Sequence, residues 1–179
     1  MSTRRDFLIS TVAAPAVGSV FAARGPRVIG ANDTVRVGVI GAGKRGQGLM
    51  IAAGFAQPDQ LRASQRLGTD GQPPLGIRIT AISDIYDAHA EWGRRAAGGG
   101  AQRYRQYQEL LASKEVDAVV IATPDHWHAP MVVAAARAGK HIYVEKCFTH
   151  NIPETFEAVR AVKENKIVLY SNTCYSKFL

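Results

Sequence analysis

Residues Val35-Arg36-Val37-Gly38-Val39-Ile40 form a β-branched run of strand length, and the next six, Gly41-Ala42-Gly43-Lys44-Arg45-Gly46, set three glycines at the spacing GxGxxG. No other feature of the chain restricts its fold as much. Between a strand and a helix, glycines so spaced have separate roles. Gly41 permits a tight turn, Gly43 lets backbone approach a pyrophosphate, and Gly46 lets the helix pack close to the strand. The phosphates then meet the helix N-terminus, with Lys44 and Arg45 inside the turn as further candidates for cofactor binding. Leu49, Met50 and Ala53 continue with the apolar periodicity of a helix. The competing reading is a glycine-rich turn without a ligand.

Such a fingerprint also calls for a carboxylate at the end of the second strand, where it accepts hydrogen bonds from the adenosine ribose hydroxyls. Asp84 follows the run Ile77 to Ser83, later than the usual spacing of about 20 residues. The stretch Gln57 to Gly76, with Pro73-Pro74, has the composition of an inserted exposed loop that accounts for the delay. A carboxylate at 84 favours NAD over NADP, because it repels a 2′-phosphate. Asp87 is the competing candidate, with an alternative role at a helix N-terminus ahead of Ala88-His89-Ala90-Glu91.

Beyond Asp84 helices and buried strands alternate. A helix is expected near Asp87 to Ala97, a short extended piece around Arg103, and a short helix at Tyr107 to Leu111. Asp117 to Ala122 reads as a central parallel strand buried on both faces. A helix from about Ala129 to Ala138, a strand His141 to Val144, a helix Pro153 to Asn165 and a strand Ile167 to Tyr170 follow. The expected fold is α/β, a doubly wound Rossmann parallel sheet of about six strands.

Three segments carry a resemblance to the Gfo/Idh/MocA oxidoreductases: the turn Gly41 to Gly46, the run Thr123-Pro124-Asp125-His126-Trp127-His128, and the pair Glu145-Lys146. The resemblance covers about Thr34 to Ser171. It implies that Thr123, Pro124, Asp125 and His128 line the nicotinamide side of the cleft. It also implies that Glu145 and Lys146 end the next strand, with Lys146 near nicotinamide and substrate as the catalytic residue. Cys147 stands where the family carries proline, so a fixed φ is lost beside that lysine. Both clusters follow strands, at the carboxyl edge where doubly wound sheets bind ligands. There an ammonium at Lys146 could orient a sugar hydroxyl during hydride transfer. Asp125, His126 and His128 could alternatively be read as metal ligands, but no further ligand cluster accompanies them, and no metal is expected. Trp127 reads as a packing residue.

The first 22 residues read as a leader. Arg4-Arg5-Asp6-Phe7-Leu8 resembles a twin-arginine export signal, and Ile9 to Ala23 carries no charge but is too short and too interrupted, by Pro15 and Gly18, to span a membrane. Cleavage is expected after Ala22 or Ala23, delivering a folded, cofactor-loaded protein to the periplasm without a stable membrane anchor. The Rossmann domain is expected over residues 33–171, and residues 172–179 look foreign to the family, as in a truncated chain whose C-terminal α+β substrate domain is absent.

The net charge of +7 is spread along the chain, and no aromatic-basic interleaving supports nucleic-acid binding. Cys147 and Cys174 lack metal-ligand spacing. The resemblance implies the NAD(P)-binding part of an oxidoreductase acting on a small sugar or polyol, and leaves room for an oligomer. Two alternatives stand beside it: a fragment of an NAD-using glycosidase of the α-N-acetylgalactosaminidase type, which oxidises, eliminates, hydrates and reduces in one turnover, and a non-catalytic dinucleotide-binding remnant.

Overall fold

A computed structural model describes residues 34–55 and 76–172. The leader, the loop expected from Gln57 (all but its last residue, Gly76) and the tail beyond Asn172 lie outside the described residues. Six strands form one sheet: β1 Val35–Ile40, β2 Ile77–Ser83, β3 Gln102–Tyr104, β4 Ala118–Ile121, β5 His141–Val144 and β6 Leu169–Ser171. Their spatial order is β3-β2-β1-β4-β5-β6, and every pairing is parallel. The order reverses between β1 and β4, which opens a crevice at the strand carboxyl ends. Five helices connect them: α1 Lys44–Ala52, α2 Asp87–Ala96, α3 Tyr107–Ala112, α4 His128–Arg137 and α5 Ile152–Glu164.

Successive residues of a strand point to opposite faces of its sheet, and both faces here are covered. Val39 packs with Ile79, Ile82, Met50 of α1 and Ala90 of α2. Its neighbour Ile40 packs with Val119, Ile121, Leu110 of α3, Val132 of α4 and Ala158 of α5. Apolar side chains remain exposed on α5, at Ile152 and Phe156, and on the β6 edge, at Val168 and Tyr170. No helix among the described residues is long and apolar enough to cross a membrane.

Three local departures from the sequence reading have physical causes. Asp117 precedes β4 rather than opening it; buried, it accepts from the Arg36 backbone N at 3.0 Å and from Nε and Nη2 at 3.0 and 2.8 Å. A buried carboxylate needs such a fork, and Arg36 supplies it from β1. A 3₁₀ turn, Asp125–Trp127, precedes α4, which therefore starts at His128. Pairing of β6 begins at Leu169 rather than Ile167, since Ile167 turns into the core and the Val168 N–H donates to His141 Nδ1. In α5, Asn151 caps the first turn by accepting from the Glu154 N–H at 3.0 Å, with Pro153 just inside.

The glycine turn locks α1 to the sheet. Gly41 sits at φ 87°, and a Cβ there would lie 2.9 Å from the Ala122 carbonyl. A Cβ on Gly46 would overlap the Gly41 carbonyl oxygen, a backbone atom that has nowhere to go. Gly46→Ala is expected to destabilise the fold by about 3 kcal/mol or more, measured by urea unfolding followed by circular dichroism. A loss below about 1 kcal/mol would show that α1 is free to move off the turn.

Candidate functional site

Two residues at the end of β2 hold the glycine turn in place. The Gly41 N–H donates to Ser83 O at 2.8 Å, and the Ala42 N–H donates to Asp84 Oδ2 at 2.8 Å. Asp84 Oδ1 accepts from the Tyr86 N–H at 2.9 Å. An ionised carboxylate has about four acceptor positions, so Asp84 retains capacity for a ligand while organising the turn beside it. Asp87 turns away: it pairs with Arg103 at 2.9 Å in the first turn of α2.

Beside this turn lies a cavity of about 550 Å³, within the size range of cofactor sites. Gly41, Gly43 and Asp84 form one wall, Thr123 and Pro124 a second, and Arg105 to Gln108 after β3 a third. Gly43 is the informative member. Its φ of −72° suits any residue, and a Cβ there would meet only the His89 ring, at 3.5 Å. The protein itself therefore has no steric need for glycine at 43. What a side chain there would obstruct is the open space over the N-terminus of α1, where the backbone amides and helix dipole favour an anion. The residues present fit a dinucleotide.

The cavity also takes in groups the sequence did not mark. Trp127, expected to pack, is 45% exposed and lines the cavity next to Pro124. His89, Tyr86 and Tyr107 join it. A helical pattern assigns such residues to a surface, and only the folding of three βα segments onto one edge brings them together.

Other expected site residues lie outside the cavity lining. His128 was expected on the cleft surface and is instead fully buried, with Nε2 2.9 Å from Thr123 O and Nδ1 2.6 Å from Cys147 O. Both partners are acceptors, so both bonds form together only when each ring nitrogen carries a proton. His128 thus links the end of β4 to the segment after β5 and is placed as a positioning residue. Asp125 is exposed; desolvation works against its charge, but His150, 3.4 Å away, and the His126 N–H hold it below the usual carboxylate range. No cluster of three or more acidic, histidine or cysteine side chains among the described residues is arranged to hold a metal.

Glu145 is buried at the end of β5 and collects donors from three elements. Arg45 of α1 donates at 2.7 Å, Asn172 after β6 at 3.1 Å and the Tyr143 hydroxyl at 3.3 Å. Burial pushes its pKa up, but the bonds from Arg45 and Asn172, the Arg45 charge and the Lys146 N–H outweigh this and hold it below the ordinary value. Lys44 and Lys146 are exposed, and Lys146 follows Glu145 directly. The Lys146–Cys147 peptide is cis, although Cys147 stands where proline was expected.

Strand order, switch point, glycine turn and cavity together define a dinucleotide-binding Rossmann domain. The family model of the oxidoreductases with an NAD-binding Rossmann fold, Gfo/Idh/MocA, matches residues 35–173, and the chain belongs to this family. Among curated proteins it is 32% identical over 147 residues to a glycosyl hydrolase family 109 protein of Shewanella sp. (strain ANA-3), covering 81% of this chain and 30% of that protein. A glycosyl hydrolase family 109 protein of Shewanella amazonensis is 34% identical, with 80% and 30% covered. Among solved structures, a 3-ketoreductase from Actinomadura kijaniata in complex with NADP and TDP-benzene aligns with a TM-score of 0.62 at 26% identity, covering 78% of this chain and 37% of that one. An NAD-binding oxidoreductase from Klebsiella pneumoniae aligns with a TM-score of 0.58 at 31% identity, with 78% and 34% covered. The chain thus spans about a third of the length of these relatives.

The depressed Glu145 pKa implies a pH dependence of stability. Its ionised form is favoured by folding, so the stabilisation is complete above the unfolded-chain value and is lost as pH falls through the folded value. Glu145→Gln is expected to lower stability by about 1–2 kcal/mol at neutral pH, the half-exposed Arg45 limiting the size of the effect. The difference from the parent chain should shrink below about pH 4 in thermal melts.

Proposed function

We propose that the cavity holds NAD in preference to NADP, with the pyrophosphate over Gly43 and the N-terminus of α1 and the adenosine ribose at Asp84. The observation that carries this reading is the open space at Gly43, which the packing of the protein alone does not require. When bound, the dinucleotide supplies a hydride donor or acceptor. The chain's own contribution is to bind and orient it between the glycine turn and the Thr123–Pro124 segment. Lys146 is assigned the catalytic role beyond that wall, on the motif Glu145-Lys146 and its place after β5. On this reading the chain is the cofactor part of an enzyme that oxidises or reduces a small sugar or polyol.

The similarity to glycosyl hydrolase family 109 proteins favours a second reading, in which the NAD is reduced and reoxidised within one turnover and a glycoside is cleaved. In a protein carrying the substrate part, stoichiometric NADH release would exclude this second reading, and release of the leaving group without net NADH would support it.

Gly43→Ala separates binding from folding. Its melting temperature should match the parent within the effect of about 0.5 kcal/mol typical of a harmless substitution. Its NAD affinity in calorimetric titration should fall at least about tenfold, because the methyl group stands in the ligand's space. Unchanged affinity would remove the pyrophosphate from this turn.

Export by the twin-arginine route is also proposed, on Arg4-Arg5 and the uncharged stretch after them. With both arginines replaced by lysine, the chain should stay in the cytoplasmic fraction of a bacterium that exports the parent form. Equal export of both forms would overturn the route.

A further inference from the structure

His89 of α2 stands between Asp84, assigned to the adenosine ribose, and Gly43, assigned to the pyrophosphate. Its Nδ1 lies 3.6 Å from Asp84 Oδ2, and its Cε1 is 3.5 Å from where a Cβ on Gly43 would be. Tyr86 meets the ring edge-on, with centroids 4.8 Å apart, and the ring lines the cavity while remaining 40% exposed. The other ionisable groups that line the cavity with it are Asp84 and Tyr86 after β2, and Arg105 and Tyr107 after β3; Lys44 and Arg45 follow Gly43 in the chain, and Arg45 pairs with Glu145. An imidazole gains or loses its charge with a single proton, which makes histidine the common pH-responsive side chain of proteins.

Resting on the assignment of the ribose to Asp84, we propose that His89 sets how strongly the site rejects a 2′-phosphorylated dinucleotide. With His89 neutral, the Asp84 carboxylate has no charged partner in the imidazole beside it, and a 2′-phosphate is repelled. With His89 protonated, the imidazolium offsets Asp84 and adds a donor at the same point, so the phosphate is tolerated. NAD carries only a neutral hydroxyl at that position and is affected less. The preference for NAD over NADP is therefore a property of pH as well as of sequence, and His89 is its specificity-determining residue.

The test is calorimetric titration of NAD and of NADP into the full chain and into His89→Asn, each at about pH 8 and about pH 6. Asparagine puts a polar atom near the position of Nδ1 but cannot titrate. The ratio of NADP to NAD affinity should rise about tenfold on acidification of the parent chain. In His89→Asn the rise should be about threefold or less, left to the 2′-phosphate's own proton with its pKa of about 6. Binding of NAD by both forms with equal changes in the ratio would overturn the role of His89 alone. Absence of NAD binding by the parent at either pH would overturn the cofactor reading beneath it, and this proposal with it.

Discussion

The structure depends on the contact between the Gly41 carbonyl and the Cα of Gly46. Backbone meets backbone there, with no room for a single carbon atom. That approach brings the first turn of α1 down onto the end of β1 and points its N-terminus into the gap where the strand order reverses. The rest of the site follows from it. Ser83 and Asp84 can reach the turn only because β2 ends beside it, and Thr123 and Pro124 face it because β4 lies on the other side of β1. A side chain at 46 would tilt the helix, misdirect its amides and separate these walls.

Much of this was legible in the sequence, since glycine spacing and apolar runs are local signals of local geometry. β1, β2 and β5 begin and end where their β-branched runs do. Asp84 was distinguishable from Asp87 only as a preference; the partner that draws Asp87 away, Arg103, belongs to another strand. His128 illustrates the limit more sharply. A motif gives its identity and spacing, but its burial and its two carbonyl partners come from β4 and from the segment after β5, which no periodicity connects. Trp127, read as a packing residue, lies in a 3₁₀ turn ahead of α4 and is 45% exposed at the cavity, a placement set by the turn and not by any periodic pattern.

The buried carboxylates show how the domain keeps charge inside. Asp117 takes both side-chain and backbone donors from Arg36, at the edge of the sheet away from the cavity. Glu145 takes donors from α1, β5 and the end of β6, at the edge that holds it. Each draws its arginine from an element distant in the chain, so removing that arginine would leave a buried carboxylate without that countercharge, at a cost larger than that of the lost bond. The two edges of the sheet are thereby tied independently, and the crevice between β1 and β4 opens between firm supports.

Lys146 and Cys147 owe their position to their flanks. Glu145 accepts from the Lys146 N–H, and His128 grips the Cys147 carbonyl, so the chain is held by its main chain while the Cys147 side chain is exposed. Information about this segment is therefore stored at 128 and 145 rather than at 147. Both contacts run through the main chain, so a change of side chain at 147 removes neither of them, whereas a change at 128 or 145 removes one directly.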